Sequence, residues 1–161
     1  MAAKRKGHGR TIEGDFAAEG RRFAVVVSRF NEFITSRLLE GCENTLNRHG
    51  VKPEQIDVVW VPGSFELPTA ARKIALKKDA DAIICLGCVI RGSTTHFDHV
   101  CRETAKGISE VGRRTGVPCI FGVITCENLE QAIERAGSKM GHAGRSAALA
   151  ALEMASLMEK L

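Results

Sequence analysis

Four apolar, β-branched runs punctuate the chain: FAVVVS (Phe23 to Ser28), IDVVWV (Ile56 to Val61), AIICLGCVI (Ala82 to Ile90) and PCIFGVIT (Pro118 to Thr125). Each is nearly continuous in hydrophobic residues instead of alternating, as strands covered on both faces are. Between the runs the period changes. Ile34, Leu38, Cys42 and Leu46 recur every four residues, which predicts a helix stopped by Gly50. Leu67 to Lys78 and His96 to Gly116 read as two more helices. Asn128 with Gln131 fits a capping box that opens a short helix to Ala136, and an alanine- and leucine-rich helix runs from about Gly144 to Lys160. Strand and helix alternate, and right-handed crossovers then give a four-stranded parallel sheet with helices on both faces, a three-layer α/β/α sandwich. TIEGDF, at 11–16, reads as a short N-terminal strand segment that would cap its own sheet edge or pair with a neighbour's.

With 161 residues, 44% of them hydrophobic, the chain can bury a real core, and neither a linker nor a repeat divides residues 11–161. The net charge of +4 is carried entirely by Lys4, Arg5, Lys6 and Arg10, in a stretch without an acid. Residues 1–10 therefore read as a basic, disordered tail that could touch an anionic surface. With no interleaved aromatics and no recognition motif, nucleic acid is not an expected partner. No apolar run approaches the ~20 residues of a membrane span, and no hydrophobic region follows the basic start as a secretory signal requires. Cys42, Cys85, Cys88 and Cys119 sit inside apolar segments, and an offset of three along a strand sends Cys85 and Cys88 to opposite faces. Buried, reduced thiols in a cytoplasmic protein are the expectation. With 7 Phe, 1 Trp and no Tyr, any ring-stacking site must use Phe or Trp60.

Ligands of open parallel sheets bind beyond the carboxyl ends of the strands. Those ends read SRFNEF, PGSFELP, RGSTTH and TCEN. In RGSTTH, Gly92 permits close approach of an anion, and successive amides with Ser93, Thr94 and Thr95 can donate to phosphate oxygens at a positive helix end, with Arg91 beside them. An ordinary hydroxyl N-cap fits the same residues. His96 lies in the first helical turn, where the dipole favours a neutral imidazole able to accept a proton, though a histidine simply closing that turn reads equally well. His96 and His99 share a face with Asp98 nearby, yet no third ligand has metal-like spacing, so no metal is expected. Phe30 stands past its strand among polar residues, a stacking candidate as well as a core one. Glu66, between two apolar residues, would be satisfied by sugar or polyol hydroxyls or by its own helix N-terminus. Arg135 ends the fourth helix, where a cation is expected on electrostatic grounds alone.

FNEFIT, VPGSFELP, GCVIRGSTTHFDHV and IERAGSKMG, in this order, resemble the lumazine synthase family over essentially Ile12 to Leu157. The resemblance implies a cofactor-free condensation of 5-amino-6-ribitylaminouracil with 3,4-dihydroxy-2-butanone 4-phosphate. It implies that Phe30 stacks on the pyrimidine, that Ser64, Phe65 and Glu66 hold the ribityl chain, and that backbone groups at Cys88, Val89 and Ile90 read the pyrimidine edge. Ser93 and Thr94 would bind phosphate with Arg135, His96 would move protons, and Phe121 would close over the ring. Phe121 and Arg135 are expected from an adjacent subunit of a homo-oligomer, a pentamer or an icosahedral shell; AGSKMGHAG, without an insertion, resembles the shell-forming members. The chain departs from the family at His142-Ala143-Gly144, where many members read Asn-Lys-Gly, so Lys139, His142 or Arg145 would have to replace a lysine near the phosphate. A flavodoxin-like FMN carrier would share the architecture, but its phosphate loop follows the first strand, where SRFNEF has no glycine. A binding relative without turnover and a purely structural shell protein would share the fold too, and the polar groups at the strand ends weigh against the latter.

Overall fold

The computed structural model describes residues 9–161, so the first eight residues of the basic tail lie outside it. Strands β1 (Phe23–Ser28), β2 (Ile56–Val61), β3 (Ala82–Ile90) and β4 (Cys119–Cys126) form one parallel sheet in the order β2-β1-β3-β4. Helices α1 (Glu32–Arg48), α2 (Leu67–Lys77), α3 (His96–Thr115), α4 (Leu129–Arg135) and α5 (Ala143–Lys160) cover it in a flavodoxin-like α/β/α sandwich.

The continuous apolar runs have the expected consequence. Every residue of β1 is buried, and β3 is buried from Ala82 to Cys88. Alternation along the strands then sorts side chains into two layers. Phe23, Val25, Val27, Ile84 and Leu86 meet α1 and α5 through Leu38, Cys42, Ala148 and Leu152. Ala24, Val26, Ile83 and Cys85 meet α2 and α3 through Leu67, Ala71 and Ile108. Each fully buried aliphatic side chain contributes ~1.5–3 kcal/mol, so the two layers supply most of the drive to fold. Cys85 and Cys88 fall in different layers, and the six cysteines are free, with the Cys85 and Cys119 sulfurs 3.8 Å apart.

Two local features differ from the pattern reading. Residues 11–16 form no strand and have no sheet partner among the described residues. Instead the segment lies along the end of α5: the Asp15 amide donates to Ser156 Oγ (3.1 Å) and Lys160 Nζ meets Asp15 Oδ2 at 2.7 Å. Further on, Arg21 pairs with Glu159 at 2.8 Å. Within the chain, polar and charged partners on a helix won over its own sheet edge. Between α4 and α5, the stretch read as a plain connection contains a small antiparallel hairpin, β5 (Ala136–Ser138) and β6 (Gly141–His142). Gly137 (φ 104°) and Gly141 (φ 90°) supply its left-handed positions, which glycine adopts without steric cost. No helix among the described residues is long and apolar enough to cross a membrane.

Candidate active site

The central strands part at one end. β1 pairs with β3 only as far as Val27 opposite Leu86, so Gly87 to Ile90 pair with β4 alone. Past Ser28 the chain stays with β2: the Arg29 amide donates to Val61 O (2.8 Å) and the Phe30 amide to Pro62 O (3.1 Å). A crevice opens between β1 and β3, at the place where strand order reverses, and backbone groups of β3 lose their neighbour there. Asn31 spans it. In the left-handed conformation (φ 61°), which asparagine tolerates better than most residues, its Nδ2 donates to Cys88 O at 2.8 Å.

Phe30 rides on this loop with 71% of its surface exposed, so it is not a core residue. Across the cleft, Ser64, Phe65 and Glu66 form a 3₁₀ turn at the start of α2. Thr104 of α3 holds that turn by donating to Ser64 O at 3.1 Å, a buried bond. Gly87 beneath has no room for a side chain, since a Cβ would stand 2.5 Å from Ser64 Oγ. Phe65 is exposed, and Glu66 makes neither a capping hydrogen bond nor an ion pair among the described residues. Phe30, Ser64, Phe65, Glu66, His96 and His99 thus line one cleft of ≈ 550 Å³.

α3 begins at the same cleft. Thr95, at the N-cap, makes no side-chain cap, and Thr94 Oγ1 reaches the His96 amide only at 3.4 Å. The Ser93 and Thr95 hydroxyls are therefore not spent on the helix, and that of Thr94 makes only a long bond to it. No hydrogen bond among the described residues engages the amides of Gly92, Ser93, Thr94 or Thr95. Arg91 is differently placed from its expected role beside the anion: its guanidinium meets Asp98 at 3.2 Å and Glu127 at 2.9 Å.

Other expected residues are not brought to this cleft. Phe121, on β4 opposite Cys85, lines a separate apolar groove with Ile120, Met154 and Met158. Arg135 stands exposed at the last turn of α4. The Cys88 side chain points into the α1/α5 layer, where burial pushes its thiol up to about 12, while its carbonyl takes the Asn31 bond. Val89 and Ile90 are half-buried and paired with β4.

Of the stand-ins for the missing lysine, His142 is already employed. Its Nδ1 accepts from the Arg145 amide (3.4 Å), capping α5, and burial pushes its pKa below the usual imidazole value. Both His142 and Arg145 border a different cleft, against Asn44 and Arg48 of α1, and Lys139 is exposed at the hairpin turn. Sequence patterning missed Asn31 and Thr104; the signal for Asn31 was its place between a strand end and an acidic helix start. A family model described as 6,7-dimethyl-8-ribityllumazine synthase matches residues 20–159 of the chain.

Proposed function

The chain belongs to the 6,7-dimethyl-8-ribityllumazine synthase family, and on that premise we propose that it condenses 5-amino-6-ribitylaminouracil with 3,4-dihydroxy-2-butanone 4-phosphate and releases phosphate, the penultimate step of riboflavin biosynthesis. One observation carries the reading: an exposed phenylalanine, a polar 3₁₀ turn and an uncapped helix N-terminus bearing a histidine share the cleft where β1 and β3 part.

The pyrimidine lies on Phe30, with backbone groups at Cys88 to Ile90, where β3 has no partner in β1, reading its edge, and the ribityl hydroxyls meet Ser64, Phe65 and Glu66. The phosphate rests on the free amides and on the Ser93 and Thr94 hydroxyls at the positive end of α3. The substrate brings its own nucleophile. Its 5-amino nitrogen attacks the ketone and loses water to give an imine; elimination expels phosphate; the ribitylamino nitrogen closes the ring and a second water leaves. Amides that hold the dianion also stabilise it as a leaving group. His96 accepts and returns the protons of these steps. Holding two reactants in register supplies most of the acceleration.

Phe121 and Arg135 complete the cleft of an adjacent subunit in a homo-oligomer, a pentamer or a shell. Their exposure and their absence from the lining of their own chain's cleft support this arrangement. Free, mostly buried thiols suit a reducing cytoplasm.

The experiment is lumazine formation followed by absorbance on mixing protein with both substrates, with the uncatalysed blank subtracted. Turnover well above the blank is expected. His96→Ala should cost no more than the ~10²–10⁴-fold typical of acid–base groups, and Arg135→Ala should impair phosphate-substrate use at least as much. Complete loss in His96→Ala with normal binding would refute the positioning-dominated mechanism. No excess over the blank, with the product still bound, would mark a binding protein on this fold.

A further inference from the structure

Arg91 is the cation closest in sequence to the cradle, and its surroundings give it a different task. Its Nη2 and Nη1 atoms lie 3.2 and 3.4 Å from the two oxygens of Asp98, an approximate fork. Its Nε faces Glu127 Oε2 at 2.9 Å, and its guanidinium carbon sits 4.2 Å from the centre of the Phe97 ring. Its own amide donates to Cys126 O at 2.9 Å, so the backbone beneath is fixed as well.

These contacts reach two helix starts. Asp98 is in the first turn of α3, two residues past His96. Glu127 immediately precedes the α4 cap, where its amide is held by Gln131 Oε1 at 2.8 Å and the Gln131 amide by Asn128 Oδ1 at 2.9 Å. The bond to Asp98 therefore closes the 91–98 loop on itself, with Gly92, Ser93, Thr94 and Thr95 inside the closure. The bond to Glu127 ties that loop to the corner that launches α4. One cation between two carboxylates leaves this corner with a net charge of −1, so it does not attract a dianion.

We propose that Arg91 is a positioning residue of the phosphate cradle: it holds the ends of the 91–98 loop through Asp98 and Glu127 and gives no charge to the substrate phosphate. This deepens, and rests on, the reading of residues 92–95 as the phosphate site. Arginine suits the task because its planar fork engages both acids at once, which a lysine ammonium on a flexible stem cannot do.

The opposite role, Arg91 as the phosphate's own cation, predicts effects of opposite sign, and the acids decide. KM for the butanone phosphate and inhibition by inorganic phosphate are measured in Glu127→Gln, Asp98→Asn, Arg91→Gln and Arg91→Lys. A positioning role requires that removing either acid loosens the cradle, raising KM by about two- to fivefold and weakening phosphate inhibition, as expected for partly exposed ion pairs. Arg91→Gln should lower kcat/KM by roughly ten- to a hundredfold, the scale of a small misplacement, with Arg91→Lys recovering only part. Tighter phosphate in Glu127→Gln or Asp98→Asn, or full recovery in Arg91→Lys, overturns the proposal. The acid variants keep Arg91 in place, so they decide the matter even where Arg91→Gln fails to fold. Should the wild type show no turnover, the proposed function fails. Calorimetric titration of inorganic phosphate into the same variants then still reads the sign for Arg91.

Discussion

Gly144 sets how closely α5 crosses α1, and replacing it with alanine turns that geometry into a stability change. A Cβ there would overlap the Leu38 carbonyl oxygen and stand 2.8 Å from the carbonyl carbon and 3.0 Å from Leu38 Cα. Comfortable carbon–carbon separations are ~3.5–4.0 Å, and the obstacle is backbone inside a helix, which cannot rotate aside as a side chain can. The two helices must part by about 1 Å. The face they share holds Leu38, Cys42, Ala147, Ala148, Ala151 and Leu152, all buried, so the separation loosens packing along much of the interface. Overpacking costs ~1–3 kcal/mol, and a backbone obstacle places Gly144→Ala near the upper end. In a domain of this size that corresponds to a fall in Tm of roughly 4–12 °C. The assay is urea and thermal unfolding followed by Trp60 fluorescence. Gly92→Ala serves as the control: nothing lies within 4 Å of its Cβ and its φ is ordinary, so its stability should stay within ~0.5 kcal/mol of wild type. A Gly144→Ala midpoint indistinguishable from wild type would refute the close-crossing account.

Thr104→Val keeps the shape of the side chain but leaves Ser64 O without its buried donor. It should cost ~1–3 kcal/mol in unfolding free energy and raise KM for the pyrimidine more than for the phosphate substrate; an equal rise in both would detach Thr104 from the polyol turn. His142 has a folded-state pKa lowered by burial, so the fold favours its neutral form. The stability it contributes is present above its ordinary value of 6.5 and is lost as pH falls below that value. Unfolding midpoints measured across that window should therefore drop on the acid side in wild type and drop less in His142→Asn, an equal slope counting against the reading. If Arg135 serves the neighbouring subunit, His96→Ala and Arg135→Ala chains unfolded together and reassembled should recover about a quarter of wild-type turnover, because random mixing pairs an intact His96 with an intact Arg135 at that frequency. Activity no higher than the sum of the two parents would place both residues in one chain's site.

The parts of the fold legible in the sequence were those governed by near neighbours. β1 and β3 run between the residues where their apolar stretches begin and end, because strands buried on both faces leave no room for polar interruptions. The edge strand β2 keeps its expected bounds although Asp57 interrupts it and most of it is only half-buried. Asn128 and Gln131 marked the start of α4 for the same local reason. Legibility failed where a partner lies far along the chain. Residues 11–16 have strand-like alternation, but a lysine and a serine near the C-terminus claim them. Arg91 read only as a neighbour of three hydroxyls, and its pairing with Glu127 was hidden because Glu127 is not adjacent in sequence.

The candidate site divides along the same line. Phe30, the Ser64–Glu66 turn and His96 could be grouped from strand ends alone, since parallel topology gathers those ends at one edge. Phe121 and Arg135 could not be grouped with them by any rule of one chain, and within one chain they do not join the cleft. The residues that line it include two histidines and a glutamate but neither a lysine nor an arginine. On the proposed reading, a phosphate dianion beside it on the amides and hydroxyls of residues 92–95 still lacks a cation. Arg91 is neutralised by two acids and His142 is spent as a helix cap. On the proposed reading the missing charge is best sought across a subunit boundary, which would give chemistry, and not packing alone, a reason for such a chain to assemble.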